Sequence, residues 1–331
     1  MSASPGNWDS FMAALCDEGM AAEERAAALR SVAPDETTGR MLADCAQYLL
    51  RHAVPLDLDR RAAIDICGTG GDKSRSGIKI FNVSTAAAFV LAAGGVDVIK
   101  HGNKAVSGLS GSSDVLEALG VPVCTTAEQA REQYARHRLC FISAPAFHPV
   151  LKPLVSVRKS LGRPSFLNLL GPLCNPAATK RQLIGVFDPV FLRPVVEAAQ
   201  LLGKTEVMAV HGEDGLDEIS ISTPTHVCHL KNGKIVEKKI TPDEAGVATY
   251  PLEKLQGGGA EENAVTIHSI FSGQNKAATE IVCLNAAAGF VIADAAPDLR
   301  QGALVARRVI ADGLALEKLL GMKEVSHALF P

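Results

Sequence analysis

Four polar loops, each following a strand-like run, carry the residues of this chain that are best suited to chemistry. The first is "GTGGD" at 68–72, whose glycines let backbone amides approach an anion closely. It fits neither the Walker A nor the G-x-G-x-x-G pattern, although Lys73 and Ser74 imitate the end of a Walker A loop. Taken alone, such a glycine cluster is more often a turn than a phosphate site.

Two further loops offer groups that could bind a phosphate. Ser84 and Thr85 stand at the start of the helix-like run "STAAAFVLAAGG". Hydroxyls there usually cap the helix, but the free amides of a helix start also attract anions. "KHGNK" at 100–104 follows the next strand-like run. A solvated surface charge is a good explanation for Lys104 and a poor one for Lys100, which directly ends a buried type of strand.

The fourth loop, at 213–218, is acidic and follows the run "EVMAVHG". Clustered carboxylates repel one another unless they are solvated or bridged by a cation. Mg²⁺ prefers oxygen ligands and is commonly shared with substrate phosphates. An exposed acidic loop is the alternative, but three candidate phosphate loops elsewhere in the chain favour magnesium.

Helices and strands alternate from residue 61 onward, which predicts a mostly parallel sheet flanked by helices, with ligands at the carboxyl ends of its strands. The chain before it, at 8–53, has helical periodicity only. The predicted strands are "AAIDIC", "IKIFNV", "VDVIK", "CFISAP", "QLIGVFD" and "EVMAVHG". A hairpin is expected at 225–240 with its turn at Asn232 and Gly233, and "NAVTIHSIFSG" is expected to be loop or short structure. The fold class is therefore α/β, with a small N-terminal helical domain and a large domain around the sheet.

Composition narrows the class of function. The chain has 331 residues, 47% of them hydrophobic, and a net charge of −3, which argues against a broad nucleic-acid-binding face. Its eight cysteines are scattered and mostly lie in apolar runs, so we expect buried thiols rather than disulfides or zinc sites. A metal site at "HVCH" (226–229) is a weaker alternative. No secretory signal or span of membrane length is visible, so we expect a soluble, cytoplasmic protein.

The loops together resemble a known family. "GTGGD", "FNVST", "KHGNKAVSGLSGSSDVLEALG", "SVRKSLG…NLLGPLCNPA" and "VHGEDGLDEIS" occur in the order and spacing of anthranilate phosphoribosyltransferases. The resemblance spans about residues 8–325. It implies Mg²⁺-dependent transfer of phosphoribose from phosphoribosyl pyrophosphate (PRPP) to the amine of anthranilate, in tryptophan biosynthesis. It also implies a helical domain at 1–66 with a later segment near 155–182, an α/β domain at 67–154 and 183–331, and a homodimer built through the helical domains.

The same resemblance assigns site residues. PRPP contacts are implied for Gly68, Gly71, Asp72, Asn82, Ser84, Thr85, Lys100 and Ser112. Anthranilate contacts are implied for Gly68, Asn103, His148, Arg158, Gly171 and Pro172. Catalytic roles are implied for His101, Asn103 and Arg158, and magnesium ligation for Ser84, Asp217 and Glu218.

Departures from the family pattern concern mainly the acceptor. The segment 73–80 is longer than usual, and Ile80 replaces a threonine. Phe147, Pro164 and Leu167 replace a histidine, an arginine and a phenylalanine. Three alternatives therefore stay open: a pyrimidine nucleoside phosphorylase, a paralogue that uses another aromatic acid, and a nucleic-acid-binding protein that kept the fold.

Overall fold

A mixed β-sheet of seven strands forms the centre of the fold in the computed structural model, which describes residues 7–58, 63–70, 77–105, 109–162 and 164–329. The strands are β1 (Ile64–Gly68), β2 (Val98–Gly102), β3 (Leu139–Ser143), β4 (Arg181–Gly185), β5 (Glu206–Gly212), β6 (Thr225–Lys231) and β7 (Lys234–Ile240). Their order across the sheet is β3-β2-β1-β4-β5-β6-β7. The first five strands run parallel, and β6 and β7 add antiparallel strands at one edge.

The α/β class predicted from the strand-helix alternation is confirmed. The hairpin is also confirmed, because Asn232 and Gly233 have φ angles of 51° and 74°, the left-handed values that a tight two-residue turn needs. Strand β5 (Glu206–Gly212) is buried along its whole length. Strands of this kind are typical of parallel sheets that are covered on both faces.

Fourteen α-helices surround the sheet in the described part of the chain. They are α1 (Trp8–Cys16), α2 (Ala22–Ser31), α3 (Gly39–Arg51), α4 (Val83–Ala93), α5 (Ser112–Ala118), α6 (Ala127–His137), α7 (Ala144–Phe147), α8 (Leu154–Leu161), α9 (Phe166–Leu173), α10 (Leu192–Leu201), α11 (Ala260–Phe271), α12 (Lys276–Ile292), α13 (Leu299–Ala311) and α14 (Leu314–Leu329). Short 3₁₀ helices lie at Pro34–Glu36, Pro149–Leu151, Pro189–Phe191, Pro242–Ala245 and Leu252–Leu255.

Apolar side chains of the strands alternate between two core layers. Ile66, Leu183 and Met208 face the layer that contains α4 and α11 to α14. Ile184 and Val207 face the other layer, which contains α1 to α3 and α8 to α10. Because both faces are covered, the polar residues of the inner strands can reach solvent chiefly at the strand ends, where loops begin.

Three predictions of local structure were wrong. "IKIFNV" is not a strand: Ile80 forms only an isolated bridge with Gln256, and its apolar neighbours pack into the core as the chain enters α4. "NAVTIHSIFSG" belongs to α11, whose buried Ile267 and Ile270 have helical spacing. Ser84 and Thr85 do not cap α4, because the helix already begins at Val83, one residue before Ser84.

All eight cysteines are buried and unpaired, as expected from their apolar surroundings. No helix in the described ranges is both long and apolar enough to cross a bilayer.

Candidate active site

A cleft of about 630 Å³ opens at the carboxyl ends of β1 and β2, beside the acidic loop at 213–218. This is the size of a small-molecule site, and it lies where open α/β sheets bind ligands. The cleft is lined by every site residue assigned from the sequence that the structure describes: Gly68, Asn82, Ser84, Thr85, Lys100, His101, Asn103, Ser112, His148, Arg158, Gly171, Pro172, Asp217 and Glu218. Gly71, Asp72 and the segment 73–76 lie outside the described residues.

Lys100 is buried beneath one end of the cleft. Its ammonium donates hydrogen bonds to the Ser84 hydroxyl, at 3.1 Å, and to the backbone carbonyl of Ile66. Only 2% of its surface is exposed, which confirms that it is not a solvated surface charge. Lys104, in contrast, is exposed and pairs with Glu117 at 2.8 Å. The cleft therefore has one fixed cation directly beside the start of α4.

The acidic loop folds over this same region. Asp217 accepts a hydrogen bond from the Gly70 amide at 3.0 Å, and Glu218 accepts one from the Ser84 amide at 3.2 Å. Glycine is required for this approach: a Cβ at Gly185 would lie 1.6 Å from the Asp217 carbonyl oxygen, and one at Gly68 would lie 2.4 Å from the Asp217 carboxylate. The loop is thus docked on the glycine loop and α4 rather than simply exposed.

The oxygen donors at this end suit a magnesium ion. Asp217 and Glu218 are half-buried, Asp217 against the glycine loop at Gly70 and Glu218 against the start of α4 at Ser84. Mg²⁺ is usually held by one or two carboxylates together with substrate phosphates rather than by a complete protein cage. Among the described residues, no group of three or more His, Cys, Asp and Glu side chains is placed to hold a metal. A partial carboxylate site of this kind is what a metal shared with a pyrophosphate needs.

A set of amides supports the start of α4. Asn263 on α11 donates to the Asn82 side-chain oxygen at 3.0 Å, and its own oxygen accepts from the Gly258 amide at 2.8 Å. Asn82 also donates to the Ser110 carbonyl oxygen at 3.3 Å. Sequence reasoning missed Asn263, because its segment was interpreted as loop. The signal for finding it was a buried asparagine in the first turn of an amphipathic helix.

The middle of the cleft contains two histidines. The His101 Nδ1 lies 3.3 Å from the Gly171 carbonyl oxygen, and the rings of His101 and His148 are 5.2 Å apart. Since a carbonyl only accepts, Nδ1 carries the proton and Nε2 keeps its lone pair. This Nε2 has no hydrogen-bond partner within the described residues. Burial, assisted by the neighbouring His148, lowers the pKa of His101 to about 3, so the ring is neutral at physiological pH.

The same burial makes stability depend on pH. An unfolded histidine has a pKa near 6.5, so between about pH 6.5 and pH 3 the unfolded chain holds a proton that the folded His101 lacks. Its contribution to the free energy of unfolding is therefore complete above the unfolded pKa and decreases as pH falls, by about 1.4 kcal/mol per pH unit. The free energy of unfolding, measured by denaturant titration at several values between pH 6.5 and pH 5, should depend less steeply on pH in His101→Gln, by about 1.4 kcal/mol per pH unit. Equal slopes in the variant and the wild type would contradict the buried neutral state.

Arg158 lines the cleft from α8. Partial burial lowers the pKa of its guanidinium, and no acceptor for it is found among the residues that the structure describes. The cleft wall also includes the apolar side chains of Leu154, Leu167 and Leu170. A half-buried cation with no acceptor in the described ranges favours an anionic ligand, because partial desolvation leaves its charge less well solvated.

The residues that depart from the family pattern differ in whether they line the cleft. Of the three acceptor-region replacements, Leu167 lines the cleft, whereas Phe147 is fully buried in the core around α6 and α7. Pro164 is not among the residues of the cleft wall. Ile80 lines the cleft, close to the start of α4. Leu167 and Ile80 are therefore the replacements that line the cleft.

Comparison with known proteins identifies the family. The profile of a glycosyl transferase family, α/β domain, matches residues 60–316. An anthranilate phosphoribosyltransferase from Halorhodospira halophila is 44% identical over 270 residues, which cover 82% of this chain and 78% of that protein. This chain belongs to the anthranilate phosphoribosyltransferase family. A second relative with this name, from a Thermoanaerobacter species, is 40% identical over 91% of this chain and 86% of its own length.

Solved anthranilate phosphoribosyltransferases have the same fold. The crystal structure of the Thermus thermophilus protein superposes with a TM-score of 0.88 at 37% identity, covering 97% of this chain and 94% of its own. A Saccharomyces cerevisiae family member in complex with PRPP and Mg gives a TM-score of 0.82 at 27% identity, covering 97% of this chain and 92% of its own. The glycine loop, the start of α4 and the acidic loop are therefore elements of a phosphoribosyltransferase fold.

Proposed function

We propose that this protein transfers phosphoribose from PRPP to the amine of anthranilate, giving N-(5-phosphoribosyl)anthranilate and pyrophosphate. The observation that carries the proposal is the polarity of one continuous cleft. Lys100 and the Asp217–Glu218 pair line it where the glycine loop meets the start of α4, and Arg158, which has no acceptor within the described residues, lines it from a different element, α8. Such a cleft fits a magnesium-bound pyrophosphate beside the carboxylate pair and an aromatic carboxylate beside Arg158.

The leaving group is the natural ligand of the part of the cleft beside the carboxylate pair. Asp217 and Glu218, with the Ser84 hydroxyl, would hold Mg²⁺, which when bound would neutralise charge on the departing pyrophosphate. Lys100 is held in place by Ser84 and Ile66, so its charge is oriented before the substrate arrives. Preorganised charge of this kind stabilises the developing oxocarbenium-pyrophosphate pair more than it stabilises bound PRPP.

The acceptor amine needs little activation, because an aromatic amine is neutral at pH 7. Pairing of the anthranilate carboxylate with Arg158 would orient the ring along the apolar wall and direct the amine toward the middle of the cleft. The His101 ring lines the cleft and is held by Gly171, but its Nε2 is enclosed and burial lowers its pKa to about 3, so it is a poor base. The amine hydrogen is lost after the bond from nitrogen to ribose forms, and the departing pyrophosphate is the stronger base that can take it.

The experiment that tests the proposal follows loss of anthranilate fluorescence with purified protein and PRPP, with and without Mg²⁺. We expect turnover that needs PRPP, stops with a chelator and resumes when Mg²⁺ is added. Absence of turnover under all these conditions would overturn the proposal. Phosphorolysis of thymidine or uridine would favour a nucleoside phosphorylase, and preference for a different aromatic acid would favour a paralogue.

The homodimer and the two-domain division are proposed on weaker grounds. Helices α1 to α3 share one core layer with α8 and α9, which supports a helical unit made of 1–66 and a later segment near 155–182. The same layer continues into α10 and the sheet, so the boundary is a packing surface rather than a linker. A homodimer through the helical unit remains implied by the family alone.

A further inference from the structure

Strands β1 and β2 are neighbours in the sheet and both line the cleft, but their backbone pairing is incomplete. Strand β1 is in register with β4 over five residue pairs, and β2 with β3 over five. Within the described residues, β1 and β2 are in register only at Ile64 and Val98. The two strands stay side by side, but their backbone pairing does not continue toward the ends that carry the glycine loop and His101.

Buried side chains replace the missing backbone pairing. Asn175 donates to the Ile99 carbonyl oxygen at 2.8 Å, and the ammonium of Lys100 donates to the Ile66 carbonyl oxygen. The His101 amide donates to the Asp65 carboxylate at 3.3 Å. These polar groups thus stay satisfied although the backbone pairing between the two strands is incomplete.

Asp65 is the centre of this arrangement. It is fully buried, and one carboxylate oxygen accepts from Asn175 at 3.0 Å and from Gln182 at 3.1 Å, while the other faces the His101 amide. The Gln182 amide donates its second hydrogen to the Pro172 carbonyl oxygen at 2.6 Å. One carboxylate is therefore bonded directly to the backbone of His101 and, through Gln182, to the Pro172 wall of the cleft.

Burial of this carboxylate is not explained by stability alone. Desolvation raises the pKa of Asp65, and the hydrogen bond from Asn175 and the charge of Lys100 oppose that rise. Well-packed apolar residues can often replace buried ionic groups without loss of stability. The donors to this carboxylate come from His101 on β2, from Cys67 on β1, from Asn175, and from Gln182, which in turn bonds to Pro172 of the cleft wall, and this arrangement indicates a geometric role.

We propose that Asp65 is a positioning residue for phosphoribosyl transfer, which holds the His101 backbone and the Pro172 wall at a fixed separation where the pairing of β1 and β2 is incomplete. The inference rests on the proposed function. Asp65 touches neither substrate, since it is absent from the cleft wall. It acts by fixing where the amine acceptor meets the phosphoribosyl group, and misplacement of reacting groups by about 1 Å can cost roughly 100-fold in rate.

Asp65→Asn breaks one of these contacts selectively. Two donors, from Asn175 and Gln182, face one carboxylate oxygen, and one donor, from His101, faces the other. The amide will therefore keep its oxygen toward the two donors and present its NH₂ group to the His101 amide. Donor then faces donor, and His101 is displaced while the rest of the network stays bonded.

The matched control is Gln133→Glu, the reverse exchange at another buried site. Gln133 is 3% exposed, accepts from the Phe141 amide at 2.9 Å and donates to the Pro122 carbonyl oxygen at 2.8 Å, away from the cleft. We expect both variants to lose stability. Only Asp65→Asn should lose kcat, by about 10-fold or more, while its Kd for PRPP, measured by calorimetry, stays within threefold of the wild type. A kcat within twofold of the wild type would overturn the proposal.

A second variant covers failure of Asp65→Asn to fold. Gln182→Met keeps the length of the side chain and removes the donors to Asp65 and Pro172. It should raise the anthranilate KM at least fivefold without changing the Kd for PRPP, and an unchanged KM would contradict the role of the network. If the wild-type protein transfers no phosphoribose, the proposed function fails. Hydrogen exchange of the backbone amides of 98–105 then tests separately whether Asp65 holds the His101 backbone in place. Equal exchange rates in Asp65→Asn and Gln133→Glu would show that it does not.

Discussion

The double variant Asp217→Asn, Glu218→Gln is expected to lose phosphoribosyl transfer by roughly 100-fold or more at saturating anthranilate. The Glu218 carboxylate faces the start of α4 at Ser84, beside Lys100, and the Asp217 carboxylate faces the glycine loop at Gly70, where the pyrophosphate of PRPP would lie. The amides keep the shape of both side chains but remove the charge that would hold Mg²⁺ there. Turnover measured against Mg²⁺ concentration, together with calorimetric binding of PRPP in Mg²⁺, checks this result.

Glu213→Gln provides the control on the same acidic loop. The Glu213 carboxylate pairs with Lys239 at 2.8 Å and with His226 at 3.4 Å, and it is absent from the cleft wall. Its loss should leave the Mg²⁺ dependence of turnover within twofold of the wild type. If the double variant keeps full Mg²⁺-dependent activity, the metal assignment is wrong. Equal losses in the double variant and the control would instead point to general disruption of the loop.

Arg158→Gln is expected to raise the anthranilate KM by roughly 30-fold or more, with little change in the Kd for PRPP. Truncating one partner of a buried, hydrogen-bonded charge pair typically costs about 2–5 kcal/mol, and each 1.4 kcal/mol corresponds to about tenfold in affinity. The guanidinium has no counterion among the described residues, so the bound carboxylate would be its partner. Initial rates at saturating PRPP over a range of anthranilate concentrations measure the effect.

Aniline, which lacks the carboxylate, sharpens this test. The wild type should discriminate strongly against aniline, and Arg158→Gln should lose most of that discrimination. Arg136→Gln is the control, because it removes an exposed arginine that pairs with Glu132 at 2.7 Å. It should change neither the KM for anthranilate nor the KM for aniline. An anthranilate KM within threefold of the wild type in Arg158→Gln would place the carboxylate elsewhere in the cleft.

Much of the site was predictable because its residues follow strands directly. A parallel sheet brings the carboxyl ends of its strands to one edge, so Lys100 in the second half of β2 and the glycine loop after β1 had to lie close together. The acidic loop after β5 was less certain, since β4 lies between β1 and β5. Small residues at Gly68 and Gly185 let that loop reach across, and this close approach is a property of the packed chain.

The failures have a common cause. "IKIFNV" has the alternation of a strand, but no neighbouring strand is available where it runs, and its apolar residues serve the core instead. Asn263 acts on Asn82, which lies 181 residues earlier in the chain, so no local pattern could reveal its role. Asp65 looked like one polar residue in an ordinary strand, whereas its meaning depends on donors from three other segments.

Local pattern was therefore enough to predict the α/β class, the positions of most strands, and the segments that contain Lys100, His101 and the carboxylate pair, whereas Arg158 on α8 was implied by the family resemblance alone. It works for these because strand periodicity and loop chemistry are short-range properties. Long-range packing settled the tautomer of His101, the isolation of Arg158 from any described acceptor, and the incomplete pairing of β1 and β2. These features depend on which groups are desolvated together, and desolvation is a property of the assembled core rather than of neighbours in the chain.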